Sequence, residues 1–326
     1  MASEETVTPA SILAAAQRVQ GRVRRTPLER DGLLSQQSGA EVYLKLENLQ
    51  QTGSFKLRGA TNRLLTLDEH ERAAGVVTAS AGNHALGLAQ AASALGVRAT
   101  ILVATTGSPV KIAALRRFPA EWVELVLHGK DYDEAEARAI ALARETGQRF
   151  VSAYNDPQVM AGQGTVAVEI LEDVPDVDVL LVPVGGGGIL VGMGCWAKAI
   201  NPGIRVIGVQ SAASPQMHAA FEAGRLVTVE VQDSLADGLA GNIEPGSAMY
   251  ELARRSTDEM VLVEEREIAG AMAWYLEQQH LVVEGAGAVG IAALQHGRVA
   301  GISGKKVAVV LTGRNVGVEK LRGLIG

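Results

Sequence analysis

The stretch SFKLRGA places one lysine, Lys56, between two apolar residues at the start of a predicted helix. A lysine in this position usually lays its aliphatic stem along apolar surface and keeps its ammonium group in water. A lysine amine can also act as a nucleophile or as a proton acceptor, but either role requires partner groups elsewhere in the fold. The chemistry open to Lys56 therefore depends on which groups the fold brings to it.

Three glycine-containing turns follow predicted strands and could supply such partners. SAGNH (80–84) precedes a helix whose first N–H groups suit a carboxylate, and PVGGGGIL (183–190) exposes several N–H groups, as a phosphate needs. LTGRN (311–315) places the hydroxyl of Thr312 at the end of the last predicted strand. Each turn alone is also compatible with ordinary capping or tight turning. In open α/β sheets, however, ligands bind outside the carboxyl ends of the strands, so we expect one site there.

A dinucleotide fold is an alternative interpretation of the glycine-rich turn. GMGCWA (192–197) fits the pattern G-x-G-x-x-A that is typical of that fold. The match falls inside the predicted helix, and the next predicted strand ends in Gln210, where an NAD site requires a carboxylate for the ribose. The turn also lacks the Lys-Ser/Thr ending of a nucleotide triphosphate loop. Both nucleotide interpretations are therefore disfavoured.

Strand-like and helical segments alternate along the chain. Most of the strand-like segments are continuous apolar runs, which are typical of parallel strands covered on both faces. The pattern predicts an α/β fold with open, mostly parallel sheets. The predicted strands span residues 42–47, 75–79, 99–104, 122–127, 179–184, 205–210 and 306–312, and the clearest helices span residues 84–95, 133–145 and 265–279.

Composition excludes several classes of protein. The 326 residues exceed the usual size of one domain, which favours two lobes. The net charge is −6 and no long basic run is present, which argues against a nucleic-acid partner. No apolar run reaches the roughly 20 residues that a membrane span needs, so we expect a cytoplasmic protein. The single cysteine, Cys195, excludes an intramolecular disulfide and is expected to be a buried structural thiol.

A lysine, a carboxylate-binding turn, a glycine-rich turn and a terminal hydroxyl are together the groups that hold pyridoxal phosphate, with the lysine as its Schiff-base partner. The sequence resembles the fold type II pyridoxal-phosphate enzymes, in the branch of threonine/serine dehydratases and serine racemase. The resemblance implies a fold like that of tryptophan synthase β, with two open, mostly parallel sheet lobes and the cofactor in the cleft between them. It rests on eight motifs in the order RRTPL, SFKLRGA, SAGNH, AGQGT, GGGG, ADGLAG, VVEGAGA and TGRN.

The same resemblance implies how the chain is divided. A small domain at residues 68–147 is expected to be inserted into a discontinuous large cofactor-binding domain at residues 1–67 and 148–326. Members of the family are usually homodimers or homotetramers, and we expect the same here.

The resemblance also implies a role for individual residues. Lys56 is the catalytic residue, because it anchors the cofactor and serves as base. Phe55 lies against the cofactor ring, Asn83 bonds its phenolic oxygen, Thr312 bonds its pyridine nitrogen and Glu284 lies close to the ring. The implied cofactor contacts are Phe55, Lys56, Asn83, Gly185, Gly186, Gly187, Gly188, Glu284 and Thr312, and the implied substrate contacts are Ser80, Ala81, Gly82, Asn83 and His84.

The implied reaction is dehydration of a small β-hydroxy amino acid, such as L-threonine or L-serine, to a 2-keto acid and ammonia. Thr312 is neutral and cannot keep the pyridine nitrogen protonated as an aspartate does, which favours loss of a β leaving group over a long-lived carbanion. Ala81 stands where racemases of this branch carry a serine, so we expect little racemisation. Leu86 stands where many threonine dehydratases have glutamine, and this departure leaves the substrate open.

Several alternatives remain at this stage. The substrate could be a specialised one, namely 3-hydroxyaspartate, phenylserine or a product of hydroxyectoine breakdown. A β-replacement enzyme and a non-catalytic amino-acid sensor that binds pyridoxal phosphate are the other two candidates. Members that bind a divalent cation use carboxylates in the segment that here runs from Gln210 to Gln216 without an acid. We therefore expect no divalent metal site, and a monovalent cation or none.

Overall fold

The computed structural model describes residues 6–325, in which the strands form two separate sheets. The first sheet holds six strands, the second holds four, and all seven strands predicted from the sequence are confirmed. In chain order, the strands are β1 (Leu28–Asp31), β2 (Glu41–Lys45), β3 (Val76–Ala79), β4 (Ala99–Val103), β5 (Val123–Leu127), β6 (Arg149–Phe150), β7 (Val179–Pro183), β8 (Arg205–Ser211), β9 (Glu259–Val263) and β10 (Lys306–Val310).

Both sheets are open and mostly parallel, as predicted. The six-stranded sheet has the order β1-β2-β10-β7-β8-β9, and only β1 runs antiparallel to its neighbour. The four-stranded sheet has the order β5-β4-β3-β6 and is parallel throughout. Its strand β6 lies just beyond the boundary expected at residue 147, and the division of the chain into domains stays a prediction.

Helices cover both sheets, and the three clearest helices of the sequence analysis are confirmed to within one residue at each end. Short 3₁₀ turns occupy Glu47–Leu49 and Asp237–Leu239. The α-helices are α1 (Pro9–Val19), α2 (Gly32–Ser38), α3 (Lys56–Leu65), α4 (Glu69–Ala74), α5 (Asn83–Leu95), α6 (Pro109–Leu115), α7 (Tyr132–Thr146), α8 (Pro157–Asp173), α9 (Gly188–Ile200), α10 (Gln216–Ala223), α11 (Met249–Arg254), α12 (Glu265–Gln279), α13 (Gly285–Gln295) and α14 (Val318–Ile325).

Glycines let three helices approach one another closely. A Cβ on Gly162 of α8 would lie 2.6 Å from the Cα of Gly59 on α3. A Cβ on Gly192 of α9 would lie 2.8 Å from the backbone nitrogen of Gly164 on α8. The AGQGT motif is therefore explained by helix packing. It holds α3, which begins at Lys56, and α9, which begins in the glycine-rich turn, against the same helix.

A buried cluster of charged side chains also fixes the start of α3. Arg58 forms ion pairs with Glu47 at 2.8 Å and with Glu169 at 2.6 Å, and Lys45 pairs with Glu169 at 2.6 Å. The side chains of Arg58, Glu47 and Lys45 are fully buried. Burial alone would lower the pKa of Arg58, but the facing carboxylates hold it above its ordinary value. Two cations thus balance two anions directly behind Lys56.

Two remaining expectations concern the membrane and the cysteine. None of the helices within residues 6–325 is long and apolar enough to cross a membrane. Cys195 is only partly buried, so the expectation of a buried thiol is wrong. The reason is that Cys195 lies on a face of α9 that packs against the outside of the core and is not enclosed by it.

Candidate active site

One cavity of about 310 Å³ brings the predicted site residues together. It lies where the turns after β3, β7 and β10 meet, at the carboxyl ends of strands from both sheets. Every residue to which the sequence analysis assigned a contact lines this cavity. These residues are Phe55, Lys56, Ser80, Ala81, Gly82, Asn83, His84, Gly185, Gly186, Gly187, Gly188, Glu284 and Thr312.

Lys56 is held at the cavity by the backbone on its N-terminal side. The N–H of Phe55 donates a hydrogen bond of 3.1 Å to the carbonyl of Thr312, which ties the start of α3 to the end of β10. The amine of Lys56 donates a 2.8 Å hydrogen bond to the carbonyl of Ala153. Desolvation lowers the pKa of this amine to about 8, against the opposing attraction of Glu284. Near neutral pH, Lys56 is therefore far more often the neutral nucleophile than an exposed lysine is.

The glycine-rich turn has the form of an anion cradle. Gly187 has a left-handed backbone with φ of +88°, and α9 starts at the next residue, so its N-terminus faces the turn. Within residues 6–325, none of the N–H groups of Gly185, Gly186 and Gly187 donates a backbone hydrogen bond. Unpaired N–H groups beside a helix N-terminus attract a phosphate. The turn therefore fits the phosphate of the cofactor that the sequence analysis implies.

Asn83, Glu284 and Asn315 form a closed set of hydrogen bonds in the cavity wall. The side-chain amide of Asn83 donates to Glu284 at 2.6 Å, and the backbone N–H of Asn315 donates to the other carboxylate oxygen at 2.9 Å. The Asn315 amide also donates to the side-chain oxygen of Asn83 at 2.6 Å. The orientation of Asn83 is thereby fixed, and one N–H of its amide is left for a ligand.

Glu284 is buried in this arrangement because Gly313 carries no side chain. A Cβ on Gly313 would lie 2.8 Å from the carboxyl carbon of Glu284. Burial raises the pKa of Glu284 to about 7, although the hydrogen bond from Asn83 opposes the shift. Glu284 is thus a partly protonated group near neutral pH, close enough to Lys56 to influence its pKa.

The SAGNH turn presents a helix N-terminus to the cavity. Ser80 accepts a 3.1 Å hydrogen bond from the N–H of Gly82, and α5 begins at Asn83. His84 is buried, and one of its ring nitrogens lies 3.2 Å from the carbonyl of Val151, to which it donates. Burial and the neighbouring Lys56 lower the pKa of His84 to about 3. A neutral His84 anchors the turn, while the N–H groups at the start of α5 remain for a carboxylate.

Several residues that line or support the cavity were not predicted from the sequence. Lys111 of α6 and Asp237 form an ion pair of 3.2 Å at the cavity wall, and Tyr154 donates a hydrogen bond to Glu244. Asn315 belongs to the TGRN motif but had no assigned role. A polar residue at the end of a strand is the only sequence signal for it, because its partners lie more than 30 positions away.

Comparisons with known proteins give a consistent result. A family model described as pyridoxal-phosphate dependent enzyme matches residues 19–313. The chain is 46% identical to the L-threonine ammonia-lyase of Thermotoga maritima over 98% of this chain and 78% of that one. It is 39% identical to the L-threonine dehydratase catabolic TdcB of Escherichia coli K12, over 97% and 95% of the two chains.

A solved structure supports the fold independently. The structure of maize serine racemase matches with a TM-score of 0.91 and 29% identity, over 98% of this chain and 97% of that one. The structural match confirms the two-lobed fold, and the family model covers the turns that line the cavity, from SAGNH to the end of β10. The chain therefore belongs to the fold type II pyridoxal-phosphate-dependent enzymes, and pyridoxal phosphate is its cofactor.

Proposed function

We propose that this protein is an ammonia-lyase that converts a small β-hydroxy amino acid, with L-threonine as the first candidate, to a 2-keto acid and ammonia. The observation that carries the proposal is the meeting, in one cavity, of the Lys56 amine with the unpaired N–H groups of the glycine-rich turn. Relatives named L-threonine ammonia-lyase and L-threonine dehydratase, at 46% and 39% identity respectively, support the choice of reaction.

Most of the site residues are assigned to the cofactor, and Lys56 acts on both the cofactor and the substrate. Pyridoxal phosphate supplies the electron-accepting ring that stabilises negative charge at the substrate α-carbon. Residues 185–188 would hold its phosphate, Thr312 would bond its pyridine nitrogen, Asn83 would bond its phenolic oxygen, and Phe55 would pack against the ring. Lys56 anchors the cofactor through Nζ and, once released, takes the proton from the α-carbon of the substrate. Its lowered pKa suits both tasks near neutral pH.

The substrate carboxylate is assigned to the turn before α5. The N–H groups at the start of α5, together with Ser80, offer hydrogen bonds to a carboxylate, and the helix dipole adds to the attraction. Ala81 beside them has no exchangeable proton, so no second acid or base is supplied there. Elimination is therefore favoured over racemisation, which needs proton delivery to the opposite face.

The proposal is tested by following keto-acid and ammonia release from L-serine, L-threonine, their D-isomers, 3-hydroxyaspartate and phenylserine. We expect equimolar keto acid and ammonia, with L-threonine as the best substrate and negligible D-serine formed from L-serine. Preferred turnover of 3-hydroxyaspartate or phenylserine would replace the substrate assignment. If a protein that binds the cofactor released no keto acid from any of these substrates, a sensor would be favoured. Rapid formation of D-serine from L-serine would refute the conclusion that Ala81 prevents racemisation.

The pKa of Lys56 predicts how cofactor binding depends on pH. Only the neutral amine reacts, so the rate of covalent binding to the apoprotein is expected to rise roughly tenfold per pH unit and to level off above pH about 8. Stopped-flow absorbance between pH 6 and 10 measures this rate. Nα-acetyl-lysine is the control, because its exposed amine keeps the ordinary pKa. A protein profile parallel to that of the control would contradict the lowered pKa.

Asn315 is expected to support the reaction by holding Asn83. Asn315→Ala removes the hydrogen bond to the Asn83 oxygen, and we expect kcat/KM to fall by up to about tenfold, the value of one hydrogen bond. Asn201→Ala is the matched control, because its side chain accepts one backbone hydrogen bond outside the cavity. Steady-state kinetics give kcat/KM for both variants, and the two values are compared with that of the wild-type protein. Equal, small effects would show that Asn83 needs no support from Asn315.

Three further properties belong to the proposal. The resemblance to the family favours a homodimer or homotetramer, which sedimentation velocity distinguishes from a monomer. We further propose a cytoplasmic location and, because the segment from Gln210 to Gln216 carries no acid, either a monovalent cation or no cation. Activity measured with potassium, sodium or neither cation tests the last of these expectations.

A further inference from the structure

Tyr154 is in direct contact with the glycine-rich turn. A Cβ on Gly186 would lie 2.6 Å from the ring carbon Cδ1 of Tyr154, and a Cβ on Gly188 would lie 2.8 Å from its carbonyl oxygen. The two glycines are therefore required because the aromatic ring and backbone of Tyr154 fill the space that side chains would need. The ring forms part of the surface on which the turn rests.

A second segment contacts the same turn and is joined to Tyr154. A Cβ on Gly185 would lie 3.0 Å from the Cα of Leu239. A few residues further along, Glu244 accepts hydrogen bonds from the Tyr154 hydroxyl and, at 2.6 Å, from the side-chain amide of Asn155. The Tyr154 hydroxyl thus links the segment on which Gly186 rests to the segment that contacts Gly185.

The hydroxyl of Tyr154 is suited to remain the donor in this link. Burial and the hydrogen bond to Glu244 both raise the pKa of the phenol. The acidic groups near Tyr154 are Glu244 and Glu136, and both act in the same direction. The link therefore stays formed across the pH range in which the enzyme is expected to work.

The segment that carries Tyr154 also contacts the reactive lysine. The carbonyl of Ala153 accepts the hydrogen bond from Lys56, and the carbonyl of Val151 accepts the one from His84. Residues 151–154 therefore touch the amine, the substrate turn and the glycine-rich turn. A group in this position can set the distance between the cofactor's anchor and its phosphate.

We propose that Tyr154 is a positioning residue for the cofactor phosphate: its ring supports Gly186 and Gly188, and its hydrogen bond to Glu244 keeps the turn in the binding conformation. The inference rests on the proposed role of the turn in holding the phosphate. Preorganised N–H groups bind an anion more tightly than groups that must be ordered on binding. The effect of Tyr154 should therefore be confined to ligands that carry the phosphate.

Titration of the apoprotein with pyridoxal phosphate and with pyridoxal, which lacks the phosphate, tests this inference by visible absorbance. Tyr154→Phe is expected to raise the Kd of pyridoxal phosphate about tenfold, since it removes a hydrogen bond to a charged group. The Kd of pyridoxal should change less than about twofold. The single variant Glu244→Gln retains an acceptor for the Tyr154 hydroxyl and should keep most of the wild-type affinity for pyridoxal phosphate. Tyr43→Phe is the matched control, because Tyr43 also donates to a glutamate, Glu41, and neither residue lines the cavity.

The outcomes separate this inference from the proposed function. If Tyr154→Phe changed neither Kd, or changed both equally, the positioning role would be overturned while the role of the turn would stand. If the wild-type protein bound pyridoxal as tightly as pyridoxal phosphate, the glycine-rich turn would not be the phosphate site, and both that proposal and this inference would be wrong. The melting temperature of each apoprotein checks folding, and a purely structural Tyr154 would lower it without changing the ratio of the two Kd values.

Discussion

Lys56→Ala is expected to lower kcat for keto-acid release by on the order of 10³-fold or more, and to abolish the visible absorbance of covalently held pyridoxal phosphate. Lys56 lies at the start of α3 with its amine in the cavity, where burial lowers its pKa, whereas Lys111, which also lines the cavity, is paired with Asp237. Alanine removes both the covalent anchor and the base. Steady-state kinetics and an absorbance spectrum of the purified variant measure the two effects.

Two comparisons make this test specific. Lys305→Ala is the control, because Lys305 pairs with Asp178 at the opposite end of the six-stranded sheet and should leave kcat and the spectrum unchanged. Lys56→Arg keeps a positive charge but has no nucleophilic amine, so it should fail as Lys56→Ala does. A Lys56→Arg variant that keeps the absorbance and more than a few per cent of kcat would contradict the assignment.

The largest loss of stability is expected from Arg58→Leu. The substitution leaves the fully buried Glu47 and the largely buried Glu169 with only Lys45 to balance them, and an uncompensated buried charge costs about 3–5 kcal/mol. We therefore expect the free energy of unfolding to fall by that amount in a urea titration. Because Arg58 lies two residues after Lys56, the same variant should also bind pyridoxal phosphate more weakly.

Arg25→Leu is the matched control for this prediction. Arg25 also pairs with acids of α8, Glu172 and Asp173, but its side chain is half exposed. Water screens exposed ion pairs, so the expected loss is at most about 1 kcal/mol. Similar losses in the two variants would mean that the interior cluster contributes no more than a surface pair, and the explanation for the position of α3 would be wrong.

Much of the fold could be predicted because parallel strands that are buried on both faces consist of consecutive apolar residues, which are easily recognised in the sequence. The seven strands predicted from the sequence, most of which are such runs, include every strand whose end carries a site turn. The three missed strands lie at the edges of the sheets. Leu28–Asp31 is short and charged, Arg149–Phe150 has only two residues, and Glu259–Val263 pairs with a single neighbour. Such strands depend on tertiary pairing, which leaves little pattern in the sequence.

The candidate site could be predicted where a motif places several groups next to one another. Lys56 and the three glycine-containing turns are local in sequence, and the ends of parallel strands bring them together. Supporting residues follow no such rule. Tyr154 and Glu244 are 90 positions apart, and Asn83 and Asn315 are 232 positions apart. Their roles arise only when the fold is complete, so no spacing in the sequence indicates them.

The most direct test is to treat the protein with pyridoxal phosphate and borohydride, which makes the covalent bond between lysine and cofactor permanent, and then to map the labelled peptide by mass spectrometry. We predict a single pyridoxyl group on Lys56, in the peptide that contains SFKLRGA. A label on another lysine, or no label in a protein that binds the cofactor, would contradict the assignment of Lys56 as the anchor.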